Sequence, residues 1–163
     1  MKLPRVPTVR DIMARSLVTL RPEMSAAAAA ELLLQHEISG APVVDEQARL
    51  IGLLSEYDCL RAVASADYQM DAHDAAETVS ELMTTDCHTV APELDLFALA
   101  QEFVHLRVRR FPVLEDERLI GQVSRRDALR AAVSLRGELR RVRQVYPDYP
   151  KGRDPIRDYP HEN

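Results

Sequence analysis

Two serine and aspartate pairs stand at matching places in the chain. Ser55 and Asp58 close the stretch Leu50-Ile51-Gly52-Leu53-Leu54-Ser55-Glu56-Tyr57-Asp58, and Ser124 and Asp127 close Leu119-Ile120-Gly121-Gln122-Val123-Ser124-Arg125-Arg126-Asp127. Each stretch reads as a short strand that stops at the serine and continues as a helix. Backbone N–H groups and the positive end of the helix dipole favour an anion at such a junction, and phosphate is a natural guest. An ionised carboxylate in the first turn is a pure acceptor with two oxygens, suited to both hydroxyls of a ribose. The same residues also serve as helix caps, since a serine followed three positions later by a carboxylate is a capping-box start. Taken one copy at a time, the residues leave both readings open.

Arginines fall near both junctions. Arg125 and Arg126 occupy a first helical turn, where the macrodipole disfavours cations and a bound phosphate would reverse that preference. Arg109 and Arg110 precede Phe111, where the earlier copy has Ser39 and Gly40. Other chemistry finds little support. Cys87-His88 are adjacent candidate ligands without the second pair that metal spacing requires, so no metal site is expected. No Gly-x-Ser-x-Gly elbow or phosphate-binding Walker loop occurs, and neither Cys59 nor Cys87 has an evident base partner. No catalytic residues are assigned, and the chain is not expected to be an enzyme.

With 46% hydrophobic and 29% charged residues among 163, the chain has the composition of a soluble globule. The net charge of -5 argues against a general polyanion binder, and 5% aromatics without Trp offer no stacking platform for single-stranded nucleic acid. Only residues 136–163 are net basic. No apolar run approaches the roughly 20 residues of a membrane span. Two cysteines and the opening Met1-Lys2-Leu3-Pro4-Arg5 make a cytoplasmic location the expectation.

The elements that position the two junctions repeat as well. Thr8 starts a helical turn, Leu17 to Leu20 is a short strand stopped by Pro22, and Ser25 caps an alanine-rich helix to about His36. Val43-Val44 form a strand, Asp45-Glu46-Gln47 a hairpin loop, and Leu50 to Leu54 the returning strand before a helix from about Glu56 to Ala64. Met83 then stands for Met13 and Pro112 for Pro42, each 70 positions later, and Asp127 for Asp58 at 69. Thr89-Val90 is the second first strand, Asp95 to Leu106 the second long helix, and Phe111 to Leu114 the second post-proline strand. The chain therefore reads as an α/β (α+β) protein. Residues 8–66 form a first βαββα unit, 67–77 a polar linker and 78–135 a second unit. Residues 136–163 add a basic helical extension and a Pro/Tyr-rich tail. Units this small are expected to pair rather than fold alone.

The order and doubling of these segments resembles the tandem CBS-domain pair, or Bateman module, over about residues 8–135. The resemblance implies two CBS repeats packed with pseudo-twofold symmetry. It also implies clefts between them that bind adenosine derivatives such as AMP, ADP, ATP, NAD or S-adenosylmethionine. Each site would be composite: Ser55 and Asp58 with His88, Arg110 and Pro112, and Ser124, Arg126 and Asp127 with Val18, Ser39, Gly40 and Pro42. Aspartate would hold ribose, serine and arginine phosphate, and groups beside Val18 or His88 the adenine. The implied function is a regulatory module that senses adenosine nucleotides, requires no cofactor, forms a homodimer and modulates a separate protein. The competing reading is a ligand-independent dimerisation scaffold with vestigial clefts.

Overall fold

The computed structural model describes residues 4–65 and 77–145. The elements run α1 (Val9–Ile12), α2 (Ala26–Gln35), β1 (Gly40–Val44), β2 (Leu50–Ser55), α3 (Glu56–Ser65), α4 (Val79–Leu82), α5 (Leu96–Leu106), β3 (Arg110–Glu115), β4 (Arg118–Ser124) and α6 (Arg125–Val145). Helix and strand are mixed as the repeat predicts, with β1 paired to β2 and β3 to β4 in two small sheets.

Local chemistry starts each helix. Asp11 Oδ2 accepts from Thr8 N and Oγ1 at 2.7 and 3.0 Å, and Glu81 Oε2 accepts from Thr78 N and Oγ1 at 2.6 and 2.9 Å. Ser25 Oγ accepts from Ala28 N at 3.2 Å, while Asp95 Oδ1 accepts from Phe97 N and Ala98 N at 2.8 and 3.0 Å. Each cap meets backbone donors that the helix itself leaves unpaired.

The predicted strand Leu17 to Leu20 shrinks to a single bridge residue. Leu20 pairs in parallel with Val43, donating to Pro42 O at 2.9 Å and accepting from Val44 N at 3.0 Å. Pro22 and the turn behind it end the pairing there. Val90 is likewise a lone bridge residue where Thr89-Val90 was expected to form a strand. The basic stretch after Arg136 continues α6, which runs unbroken to Val145. Residues 67–76 of the linker and the Pro/Tyr segment from Tyr146 lie outside the described residues.

The described residues divide into two compact units that do not coincide with the repeats: residues 4–13, 90–111 and 123–145 form one, residues 14–65, 77–89 and 112–122 the other. In the first, α1 meets the turn before α5, with Val9 N donating to Leu94 O at 2.8 Å and Arg10 N to Pro92 O at 2.9 Å. Phe103 stacks near the buried Phe111, their ring centroids 4.7 Å apart. In the second, α4 meets the turn before α2, with Val79 N donating to Met24 O at 2.8 Å and Ser80 N to Pro22 O at 3.0 Å. Its core joins Leu20, Ala29, Leu33, Ala41, Val43, Leu54, Val79 and Leu82. Each unit thus contains the opening turn of one repeat and the long helix of the other.

Candidate ligand-binding site

Both serine and aspartate junctions form the same reciprocal turn. At the end of β2, Ser55 N and Oγ donate to Asp58 Oδ2 at 2.9 and 2.6 Å, and Asp58 N donates back to Ser55 Oγ at 3.3 Å. At the end of β4, Ser124 N and Oγ donate to Asp127 Oδ2 at 2.9 and 2.6 Å, with Asp127 N returning to Ser124 Oγ at 3.2 Å. Capping therefore consumes one carboxylate oxygen in each turn. The other, Oδ1, faces Arg61 Nη2 at 3.9 Å in the first copy and Arg130 Nη1 at 3.7 Å in the second. Those separations exceed a hydrogen bond. An ionised carboxylate with one oxygen so placed can still accept from a ligand hydroxyl.

The two turns differ in burial. Asp58 is 7% exposed, a buried charged residue, whereas Asp127 is only partly buried. Glu56 and Tyr57 follow Ser55 on the surface, where Arg125 and Arg126, both exposed, follow Ser124. One phosphate-side corner carries an anion and the other carries two cations.

Of the predicted site residues, Val18, Ser39, Gly40, Pro42, Ser55, Asp58, His88 and Pro112 belong to one unit, and Arg110, Ser124, Arg126 and Asp127 to the other. Within the former, Ser39 and Gly40 lie against Ser55: Glu56 N donates to Ser39 O at 3.1 Å, and Gly40 is the register partner of Ser55. A Cβ on Gly40 would stand 2.9 Å from Leu54 O and 3.2 Å from Ser55 Cα, so the absence of a side chain lets β1 approach the turn. Pro42 is fully buried opposite Leu53, its carbonyl accepting from Leu20 N. Val18 is half-buried, His88 exposed, Pro112 buried and Arg110 half-buried. In the other unit, Arg125 N donates to Arg109 O at 3.1 Å, the counterpart of the Glu56 to Ser39 bond.

A family model described as the CBS domain matches residues 9–65 and again residues 79–134. The chain belongs to the CBS-domain family. The CBS-domain protein YhcV of Bacillus subtilis is 31% identical over 118 residues, covering 72% of this chain and 79% of YhcV. MJ1225 of Methanocaldococcus jannaschii is 30% identical over 122 residues, and there the match spans 75% of this chain but only 41% of the relative. The structure of Arabidopsis thaliana CBSX2 in complex with AMP aligns at 30% identity with a TM-score of 0.70, covering 80% of this chain and 98% of that one. The CBS pair of MJ0100 in complex with 5'-methylthioadenosine and S-adenosyl-L-methionine aligns at 25% identity, TM-score 0.67, over 79% and 98%. An inosine-5'-monophosphate dehydrogenase from Aquifex aeolicus shares only 19% of its length with the chain, at 34% identity over 101 residues.

Arg61 and Arg130 are the residues that sequence reasoning passed over. Each stands three positions after the aspartate of its CBS repeat, and that doubled spacing was the signal available. Among the described residues no group of three or more His, Cys, Asp and Glu is placed to hold a metal ion, and no helix is long and apolar enough to cross a membrane. Burial pushes the Cys59 and Cys87 thiols up from their ordinary value, with Asp58 and Asp86 adding to the respective shifts. A thiol held protonated in this way is a poor nucleophile.

Proposed function

We propose that this CBS pair is a regulatory module that binds adenosine nucleotides at its two Ser-x-x-Asp turns and modulates a separate partner protein in the cytoplasm, without catalysis of its own. The observation that carries the reading is the duplicated turn, in which Oδ2 of each aspartate is spent on the cap and Oδ1 stays beyond hydrogen-bond distance of its arginine. The ribose hydroxyls go to that oxygen, and the phosphates go to the helix N-terminus. The AMP complex of CBSX2 and the methylthioadenosine and S-adenosylmethionine complex of MJ0100 support a ligand of this class. His88 and Pro112, which share a compact unit with Asp58, complete the Asp58 site. The exposed arginines favour di- and triphosphates over adenosine, and the Asp127 site binds more tightly because Arg126 attracts a phosphate that Glu56 would repel.

The module acts as a homodimer. An apolar groove of about 510 Å³ lies between α5 and α6, lined in part by Phe97, Ala100, Val104, Leu129 and Ala132. A second of about 440 Å³ lies between α2 and α3, where Leu34 and Leu60 are 71% and 65% exposed. Exposed apolar side chains grouped on paired helices are the surface a second copy would cover. A thermal-shift panel of adenosine, AMP, ADP, ATP and S-adenosylmethionine tests the ligand reading. A ligand at 100 times its dissociation constant adds about 2.7 kcal/mol. No shift with any of them, on protein shown to be ligand-free, would leave the scaffold alternative.

A further inference from the structure

Strand β4 has two unlike faces. Gly121 and Val123 are buried, while Ile120, Gln122 and Ser124 are half-buried. In β2, Gly52 and Leu54 are buried and Ile51, Leu53 and Ser55 half-buried, the same alternation. Because side chains alternate with period two, Gln122 shares its strand face with Ser124 and stands about 6–7 Å before it. The first repeat places Leu53 there.

The Gln122 amide nitrogen is buried and has no hydrogen-bond partner among the described residues. The backbone is not at fault, since Gln122 N donates to Ala14 O at 2.9 Å and Gln122 O accepts from Ala14 N at 2.9 Å. Leu53 makes the equivalent bonds with Thr84, both at 2.9 Å, so the two strands are held alike and differ in the side chain. A buried amide without a partner opposes folding, and leucine at this place would not. An orphaned donor on the face that leads to the Asp127 turn is what a site looks like when its acceptor arrives with the ligand.

We infer that Gln122 determines specificity at the Asp127 site, its amide donating to a ring-nitrogen acceptor on the base of the bound adenosine ligand, while Leu53 offers the Asp58 site apolar contact alone. The inference rests on the adenosine reading above. With phosphate at the helix N-terminus and ribose at Asp127, the base is the end of the ligand left to lie along β4. A site built to hydrogen-bond a group rejects the analogue that lacks it, whereas an apolar wall does not.

The test is calorimetric titration of the full chain, Gln122→Leu and Gln122→Met with AMP and its 1-, 3- and 7-deaza analogues, alongside melting of the ligand-free proteins. Leucine copies the other repeat, and methionine keeps the length of glutamine without the donor. The expected result is a ligand-free melting temperature equal to or above that of the unaltered chain, with AMP binding at the tighter site about tenfold weaker. One deaza analogue should bind the unaltered chain about tenfold more weakly than AMP and bind both variants as AMP does. Unchanged AMP affinity in either folded variant overturns the inference. Absence of AMP binding by the unaltered chain would overturn the adenosine reading itself.

Discussion

Replacing each aspartate by alanine should separate its structural work from its binding work, because the two turns are alike in hydrogen bonding and unlike in burial. Asp127→Ala removes the acceptor for Ser124 N and Oγ, at 2.9 and 2.6 Å, in a partly buried setting where water can replace it. The loss is that of a helix cap, about 1 kcal/mol. Asp58→Ala removes the same two bonds beneath a side chain only 7% exposed, where water has less room to replace the lost acceptor. An orphaned buried donor adds about 1–2 kcal/mol, for a total of about 2–3 kcal/mol. At about 2–4 °C per kcal/mol for a chain of this size, the ligand-free proteins should melt about 2–4 °C low for Asp127→Ala and about 4–12 °C low for Asp58→Ala. Nucleotide binding should rank them in reverse. Loss of a charged hydrogen bond to ribose, about 1.5–3 kcal/mol, weakens the tight site about ten- to a hundredfold in Asp127→Ala, while Asp58→Ala leaves the tightest phase nearly unchanged. Scanning calorimetry without ligand and titration calorimetry with ADP read the two effects separately. Equal destabilisation by both substitutions would refute the burial argument, and loss of the tight phase in Asp58→Ala alone would refute the assignment of the stronger site.

Other substitutions probe the frame. Gly137 lies inside α6 with open space where a Cβ would stand, so Gly137→Ala should raise stability by about 0.5–1 kcal/mol in urea unfolding. Gly40→Ala meets Leu54 O at 2.9 Å and should cost about 1–3 kcal/mol, with weaker nucleotide binding because the strain falls on the Ser55 turn. Leu129→Glu, on a side chain 66% exposed beside the α5 and α6 groove, should shift light scattering toward monomer without lowering the melting temperature of the monomer. Acid should unfold the protein along a defined path. Thr8 N–H and Arg5 hold the Asp11 carboxyl below its ordinary 3.8, and Thr78 N–H and hydroxyl hold Glu81 below 4.5. The folded forms bind protons less readily than the unfolded chain, so their contribution is complete above the ordinary values and disappears as pH falls through the lower folded ones. Melting temperatures should therefore hold from pH 7 to about 5 and drop below about 4, and Asp11→Asn should flatten part of that drop.

Where chemistry is local, the sequence was sufficient. Ser25 and Thr8 cap the helices they precede as expected, and Asp95 starts its helix where the repeat placed it, since a cap needs only a hydroxyl or carboxylate two or three residues from an unpaired N–H. Ser55 with Asp58 and Ser124 with Asp127 were legible for the same reason, and their duplication across 69 positions marked the CBS pair. The first strand of each repeat was misjudged in length because strand extent depends on partners brought from elsewhere: Leu20 finds Val43 and nothing further. The grouping of the chain into units was likewise beyond local reading. The bonds from α4 to Pro22 and Met24, and from α1 to Pro92 and Leu94, join segments more than fifty residues apart. The unequal burial of Asp58 and Asp127 is decided by tertiary packing, because serine and aspartate stand at the same spacing in both motifs. Gln122 illustrates the limit most sharply: as one polar residue in an apolar strand it carried no signal, and its meaning arises where packing removes water from its amide without supplying an acceptor.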